Sequence, residues 1–83
     1  PAPAYPREAL LAGVEGVVVL EVHVGRDGQP LDVRVHRSSG HRDLDRAALR
    51  HVQRTWRFQP AMRDGVPVEA IGLVPIAFNL SGG

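Results

Sequence analysis

The chain has 83 residues, a net charge of +1 and no cysteine. That limits it to one small domain and excludes both a disulfide framework and a thiolate zinc site. A chain this short buries only about 60% of its unfolded surface, so its core must be thin. All ten basic residues are arginine, a skew that reads as the coding bias of a GC-rich genome and not as a phosphate-binding device. No apolar run approaches the roughly 20 residues needed to cross a bilayer, and no signal peptide is visible.

Pro1-Ala2-Pro3-Ala4 reads as the end of a Pro/Ala-rich extended linker, so residues 1–4 are expected to lead into a domain at 5–80, with 81–83 as a tail. Pro6 suits the first position of a helix, where a missing N–H costs nothing. The helix formers Arg7 to Ala12 then stop at Gly13, a natural C-terminal residue. Tyr5, between linker and helix, is expected to pack this junction onto the sheet as a staple.

Val17 to Val24 and Leu31 to His36 are alternating runs joined through Asp27-Gly28, the strongest short-range hairpin signal. With Asp27 and Gly28 as a two-residue loop, Val24 faces Leu31, Val22 faces Val33 and Leu20 faces Val35, all on one face. The other face then pairs His23 with Asp32 and Glu21 with Arg34, worth at most about 1 kcal/mol each. A slip of one residue would turn the apolar set outward, so the register is fixed.

Ser38-Ser39-Gly40 closes the second strand, and Asp43 and Asp45 fall where a helix N-terminus favours negative charge. Leu44, Ala48, Val52 and Trp56 recur every four residues, joined by Ala47 and Leu49, which marks an amphipathic helix ended by Pro60. After a turn at Arg63-Asp64-Gly65, Val66, Val68, Ala70, Gly72, Val74, Ile76, Phe78 and Leu80 alternate as one long strand. Pro67 and Pro75 make it an edge strand.

The expected fold is therefore α+β: a two-layer sandwich of a three-stranded antiparallel sheet with two helices on one face, in the order α-β-β-α-β. The run Val17 to Val24, lacking Pro and Gly, should be central, flanked by the hairpin partner on one side and the last strand on the other.

Little in the sequence points to catalysis. His23, His36, His41 and His51 form no HxxxH or HxH pair, and Ser38 and Ser39 lack a G-x-S-x-G frame. Glycines fall at turns and build no phosphate loop. No carboxylate pair suits general acid–base work. No catalytic residue, metal site or cofactor is assigned, and the chain is not expected to be an enzyme. Arg42, Arg46, Arg50 and Arg54 form a stripe at i, i+4 spacing that reads first as a solvated face. Nucleic-acid binding would add exposed aromatics for stacking, and these are lacking, so no nucleic-acid partner is expected.

Tyr5-Pro6, Glu15-Gly16, Asp27-Gly28, Val33 and Val35, Ser38-Ser39-Gly40, Leu44-Asp45 with Ala47-Ala48, Trp56-Arg57-Phe58 with Pro60, Gly65-Val66-Pro67-Val68, and Val74-Pro75-Ile76 with Phe78 occur in an order and spacing that resembles the C-terminal domain of TonB energy transducers. The resemblance spans residues 5–80. It implies a Gram-negative periplasmic domain tethered to the inner membrane by an N-terminal helix, which works with the ExbB–ExbD proton-driven motor. The domain of that family binds the TonB box of outer-membrane TonB-dependent transporters, adding a strand to its sheet and energising uptake of siderophores, haem or cobalamin. Family members carry a glutamine three residues before the tyrosine; here that position is Ala2, and no site is assigned to it.

The residues themselves agree with strand addition, which rests on main-chain hydrogen bonds and tolerates many peptide sequences. The partner-strand site is expected along Ile71, Leu73, Val74, Pro75, Ile76, Ala77, Phe78 and Asn79. Pro75 must turn its missing N–H outward, which leaves Leu73, Ala77 and Asn79 offering N–H and C=O groups to a partner. The alternatives are a structural module that homodimerises through its last strand and, behind it, a binder of anions or nucleic acid through the Arg stripe.

Overall fold

The structure, a computed structural model, describes residues 3–80; Ala2 and the tail 81–83 lie outside them. Helix α1 spans Arg7–Ala12 and ends at Gly13. Strands β1 (Gly16–Val24) and β2 (Pro30–Arg37) form the expected hairpin, followed by helix α2 (Arg42–Thr55). Three further strands follow: β3 (Ala61–Arg63), β4 (Val66–Val68) and β5 (Ala70–Phe78). The main sheet is antiparallel with the order β2-β1-β5, so the most apolar strand is central.

Both helices cover the same face. Ala9 of α1 and Leu44, Ala48 and Val52 of α2 share one core with Val18, Leu20, Val22 and Val24 of β1, Val33 of β2, and Ile76 and Phe78 of β5. Val18, Leu20, Val22, Leu44, Ala48 and Val52 are fully buried. Each buried Val or Leu contributes about 1.5–3 kcal/mol relative to exposure, so this small set carries most of the fold's stability.

The expected long strand over 66–80 is divided. Asp64 (φ 52°) and Gly65 (φ 79°) form a two-residue turn with both central residues at positive φ, the geometry that matches the twist of a hairpin. It folds β3 back onto β4, so Val66 and Val68 join a separate two-stranded ribbon with Ala61 and Arg63. The period-2 pattern runs straight through Glu69 and hides the break. At the other end β5 stops at Phe78, and the Leu80 N–H donates to Glu15 Oε2 at 2.6 Å.

The first hairpin departs from a regular ladder at two places: at its far end, where a register shift pairs Val19 with Arg37, and at its tip. Gly28 N donates to Gly25 O at 2.9 Å and Gly25 N donates to Gln29 O at 2.8 Å, so the loop has three residues, Arg26, Asp27 and Gly28. Gly28 sits at φ 85°, as the last residue of such a loop requires. Val24 then faces Pro30 instead of Leu31, and a register shift between His23 and Val24 restores the expected pairs His23–Asp32, Val22–Val33, Glu21–Arg34 and Leu20–Val35. Leu31 is left 57% exposed. The charge pairs across the outer face are register neighbours, yet Arg34 Nε bonds Asp32 in its own strand and His23 pairs with Glu69.

Candidate functional site

Strand β5 pairs with β1 over nine consecutive positions, from Gly16–Phe78 to Val24–Ala70, with no irregularity. Its other side faces no strand among the described residues. The direction of each backbone group follows from one hydrogen bond. Gly25 N points to Gln29 in the β2 direction. Backbone groups alternate along a strand, so His23, Glu21 and Val19 also turn toward β2, while Val24, Val22, Leu20 and Val18 turn toward β5. Val19 lies opposite Pro75. At that pair neither residue directs its backbone at the other, and the missing N–H of Pro75 interrupts nothing in the ladder. Ile71, Leu73 and Ala77 share that parity and aim N–H and C=O groups away from β1. Val74, Ile76 and the end of the strand at Phe78 aim theirs inward.

Side chains divide by the same period. Val74, Ile76 and Phe78 turn to the helix-covered face, the last two buried. Ile71 is 67% exposed and Leu73 55% exposed on the opposite face. Pro75 and Ala77 follow them there, and Val17 lies opposite Ala77 and is itself exposed. The outward edge of β5 thus borders an apolar, uncovered strip of sheet.

Three contacts hold β5 in place. Glu69 Oε1, just before the strand, lies 2.8 Å from His23 Nε2 on β1. The Leu80–Glu15 hydrogen bond fixes the other end. Between them the Phe78 ring takes the edge of Tyr5 at a centroid distance of 5.4 Å and an interplanar angle of 87°. The Tyr5 hydroxyl donates to the Val14 carbonyl, so Tyr5 is the staple expected of it. Burial, followed by the nearby charge of Glu15, raises the Tyr5 pKa above its ordinary value. Of these anchors the sequence indicated only Tyr5. Glu15 and Glu69 carry no local pattern that singles them out, because their partners are 65 and 46 residues away.

Asp45 organises the junction of β2 with α2. It accepts hydrogen bonds from Ser38 Oγ, from Ser39 N at 2.9 Å and from Ser39 Oγ at 2.7 Å. Burial alone would raise its carboxyl pKa; these hydrogen bonds and the nearby His41 outweigh that and hold it below the ordinary value.

Comparison with known proteins places this architecture. The family described as Gram-negative bacterial TonB protein C-terminal matches residues 1–80. Protein tonB2 of Pseudomonas aeruginosa is 44% identical over 81 residues, covering 98% of this chain and 30% of that protein. Protein TonB of Vibrio cholerae serotype O1 is 39% identical over 80 residues, covering 96% of this chain and 32% of that protein. The chain therefore spans about a third of the length of the curated relatives it matches. The solution NMR structure of the Pseudomonas aeruginosa TonB CTD superposes with a TM-score of 0.77 at 30% identity, covering 100% of this chain and 83% of that one. By sequence and by fold, the chain belongs to the family of TonB C-terminal domains, whose members are not enzymes.

Proposed function

We propose that this domain is the periplasmic end of a TonB-type energy transducer and takes up the TonB box of an outer-membrane TonB-dependent transporter as a fourth strand of its main sheet. The outer edge of β5 is the receiving surface. Leu73 and Ala77, together with Ile71, supply main-chain donors and acceptors, and Pro75 supplies its carbonyl. Val74, Ile76 and Phe78 hold the strand against the core while the outward groups are engaged. The single observation that carries this reading is the nine-residue β5 ladder, paired on one side only, with Pro75 at a position where its missing N–H is harmless.

Four net hydrogen bonds at about 1 kcal/mol each correspond to affinity near the millimolar range. Contacts of Ile71 and Leu73 with the peptide's side chains add to that. Weak, sequence-tolerant capture suits a domain that must serve more than one transporter and let go. In the full-length protein, an N-terminal helix would tether the domain to the inner membrane and to ExbB–ExbD, and uptake of siderophores, haem or cobalamin would follow.

The test is an NMR titration of the labelled domain with TonB-box peptides from transporters of the same genome. Amide shifts clustered on residues 71–80 support the assignment; saturable binding that leaves those amides unmoved refutes it. The same free edge also suits a second copy of the chain, and concentration-dependent sedimentation without peptide would identify that alternative.

A further inference from the structure

The sheet has a second free edge, and its surroundings differ from those of β5. Strand β2 is the other outermost strand. Val35 lies on the helix-covered face, opposite fully buried Leu20, yet it is 39% exposed. Helix α2 stops short of covering it and leaves a groove of about 570 Å³ lined by Val35, Arg42, Asp45, Arg46, Leu49 and Arg50. Three guanidinium groups thus stand along one wall of a cleft whose floor is apolar.

These arginines are not balanced from within. Among the described residues the ion pairs are His23–Glu69 and Arg34–Asp32, neither in the groove. The one carboxylate there, Asp45, is already engaged by Ser38 and Ser39. Like charges at i, i+4 spacing destabilise a helix slightly, so the stripe is a small standing cost that an anionic partner would relieve.

The backbone narrows the partner's chemistry. With His23 and Glu21 directing their groups to β2, the pairs His23–Asp32 and Glu21–Arg34 carry the bonds of that ladder. Val33 and Val35 have the opposite parity and direct their N–H and C=O groups to the free edge. A strand added there would place the residues facing Val33 and Val35 on the same face as the arginines. Alternate residues of such a strand recur about every 6.8 Å. Arginines four apart on a helix recur about every 6 Å. A run of alternating carboxylates therefore has nearly the spacing of Arg42, Arg46 and Arg50. Nucleic acids, glycans and lipids can meet the charge and accept from an N–H, but only a peptide backbone matches the alternating N–H and C=O groups of a strand edge.

We propose that the groove between β2 and α2 is a second strand-addition site, selective for an extended acidic peptide segment with carboxylates at alternate positions. This site is independent of the β5 edge and would remain even if that edge binds nothing.

The probe is a capped ten-residue peptide of alternating Glu and Val, titrated into the isotope-labelled 83-residue chain. Saturable shifts at Val33, Val35, Leu49 and Arg50 are expected. Binding should weaken about tenfold or more with R46E/R50E, and similarly on raising the salt concentration tenfold. The peptide is also varied, so that the result does not depend on a protein variant folding. Replacing Glu by Gln, or methylating alternate backbone nitrogens of the edge-facing parity, should each abolish saturation. Equal binding by the Gln peptide refutes the charge claim, and equal binding by the methylated peptide refutes strand addition. Shifts confined to residues 71–79, no saturable shift at all, or displacement of the peptide by a heparin fragment or duplex DNA that binds more tightly also overturns the proposal.

Discussion

Proline substitution at two adjacent positions of β5 separates its two edges. Leu73 lies opposite Glu21, whose backbone groups turn toward β2, so the Leu73 N–H points away from the sheet. Leu73→Pro removes a donor that no strand of this chain uses, and the lost side chain is 55% exposed. Stability should fall by no more than about 1 kcal/mol, from the proline's fixed φ and the smaller side chain. Affinity for a TonB-box peptide should fall about fivefold, the equivalent of one net hydrogen bond near 1 kcal/mol. Val74 lies opposite Leu20, whose groups face β5. Val74→Pro removes an inward N–H and strands an acceptor beside fully buried Leu20, with a loss of about 3 kcal/mol or more. Urea melts followed by Trp56 fluorescence give the stabilities, and isothermal titration gives the affinities. If Leu73→Pro unfolds the domain as readily as Val74→Pro, the assigned phase is wrong. If Leu73→Pro folds normally and binds peptide as tightly as the parent, the edge of β5 is not the receiving surface.

Other consequences are equally direct. Gly28 sits at φ 85°, and a Cβ there would lie 2.1 Å from the Phe58 carbonyl oxygen. The Gly28 carbonyl also accepts the Phe58 N–H at 2.8 Å. Gly28→Ala combines a left-handed penalty with loss of that bond, so thermal or urea melts should show about 2–3 kcal/mol of destabilisation. Leu44→Ala, at a fully buried position, should cost about 2–5 kcal/mol in the same melts. Because the Asp45 pKa is lowered in the folded state, its contribution is present above the unfolded value of about 3.9 and is lost as pH falls through the folded value. Asp45→Asn should therefore lower stability at neutral pH and flatten the acid limb of a stability–pH curve. Tyr5 has the opposite sign: its raised pKa means that stability is intact below about 10 and falls as pH rises through the folded value. Tyr5→Phe should keep the ring contact with Phe78, lose the bond to Val14 and remove that part of the alkaline loss, as measured by melts across the alkaline range.

The short-range patterns determined most of this protein. Alternation in residues 17–24 and 31–36 fixed the hairpin register at Val22–Val33 and Leu20–Val35, because any slip exposes every apolar side chain together. Four-residue spacing from Leu44 to Val52 fixed α2 and its buried stripe, and Pro75 marked β5 as an edge strand. What escaped were choices between locally equivalent geometries. Apolar alternation cannot show where one strand ends and another begins, so the Asp64-Gly65 turn split residues 66–78 between two sheets without changing the pattern. The three-residue loop at Gly28 is held by the Phe58 N–H, 30 positions away, which donates to the Gly28 carbonyl, and β5 is held at its ends by Glu15 and Glu69 through contacts that loop closure alone brings together. The Arg stripe was visible in the sequence, but only the incomplete cover of α2 over Val35 turned it into one wall of a groove. Periodicity reports which face of an element avoids water; which elements meet, and where they leave a backbone unpaired, depends on packing between distant segments.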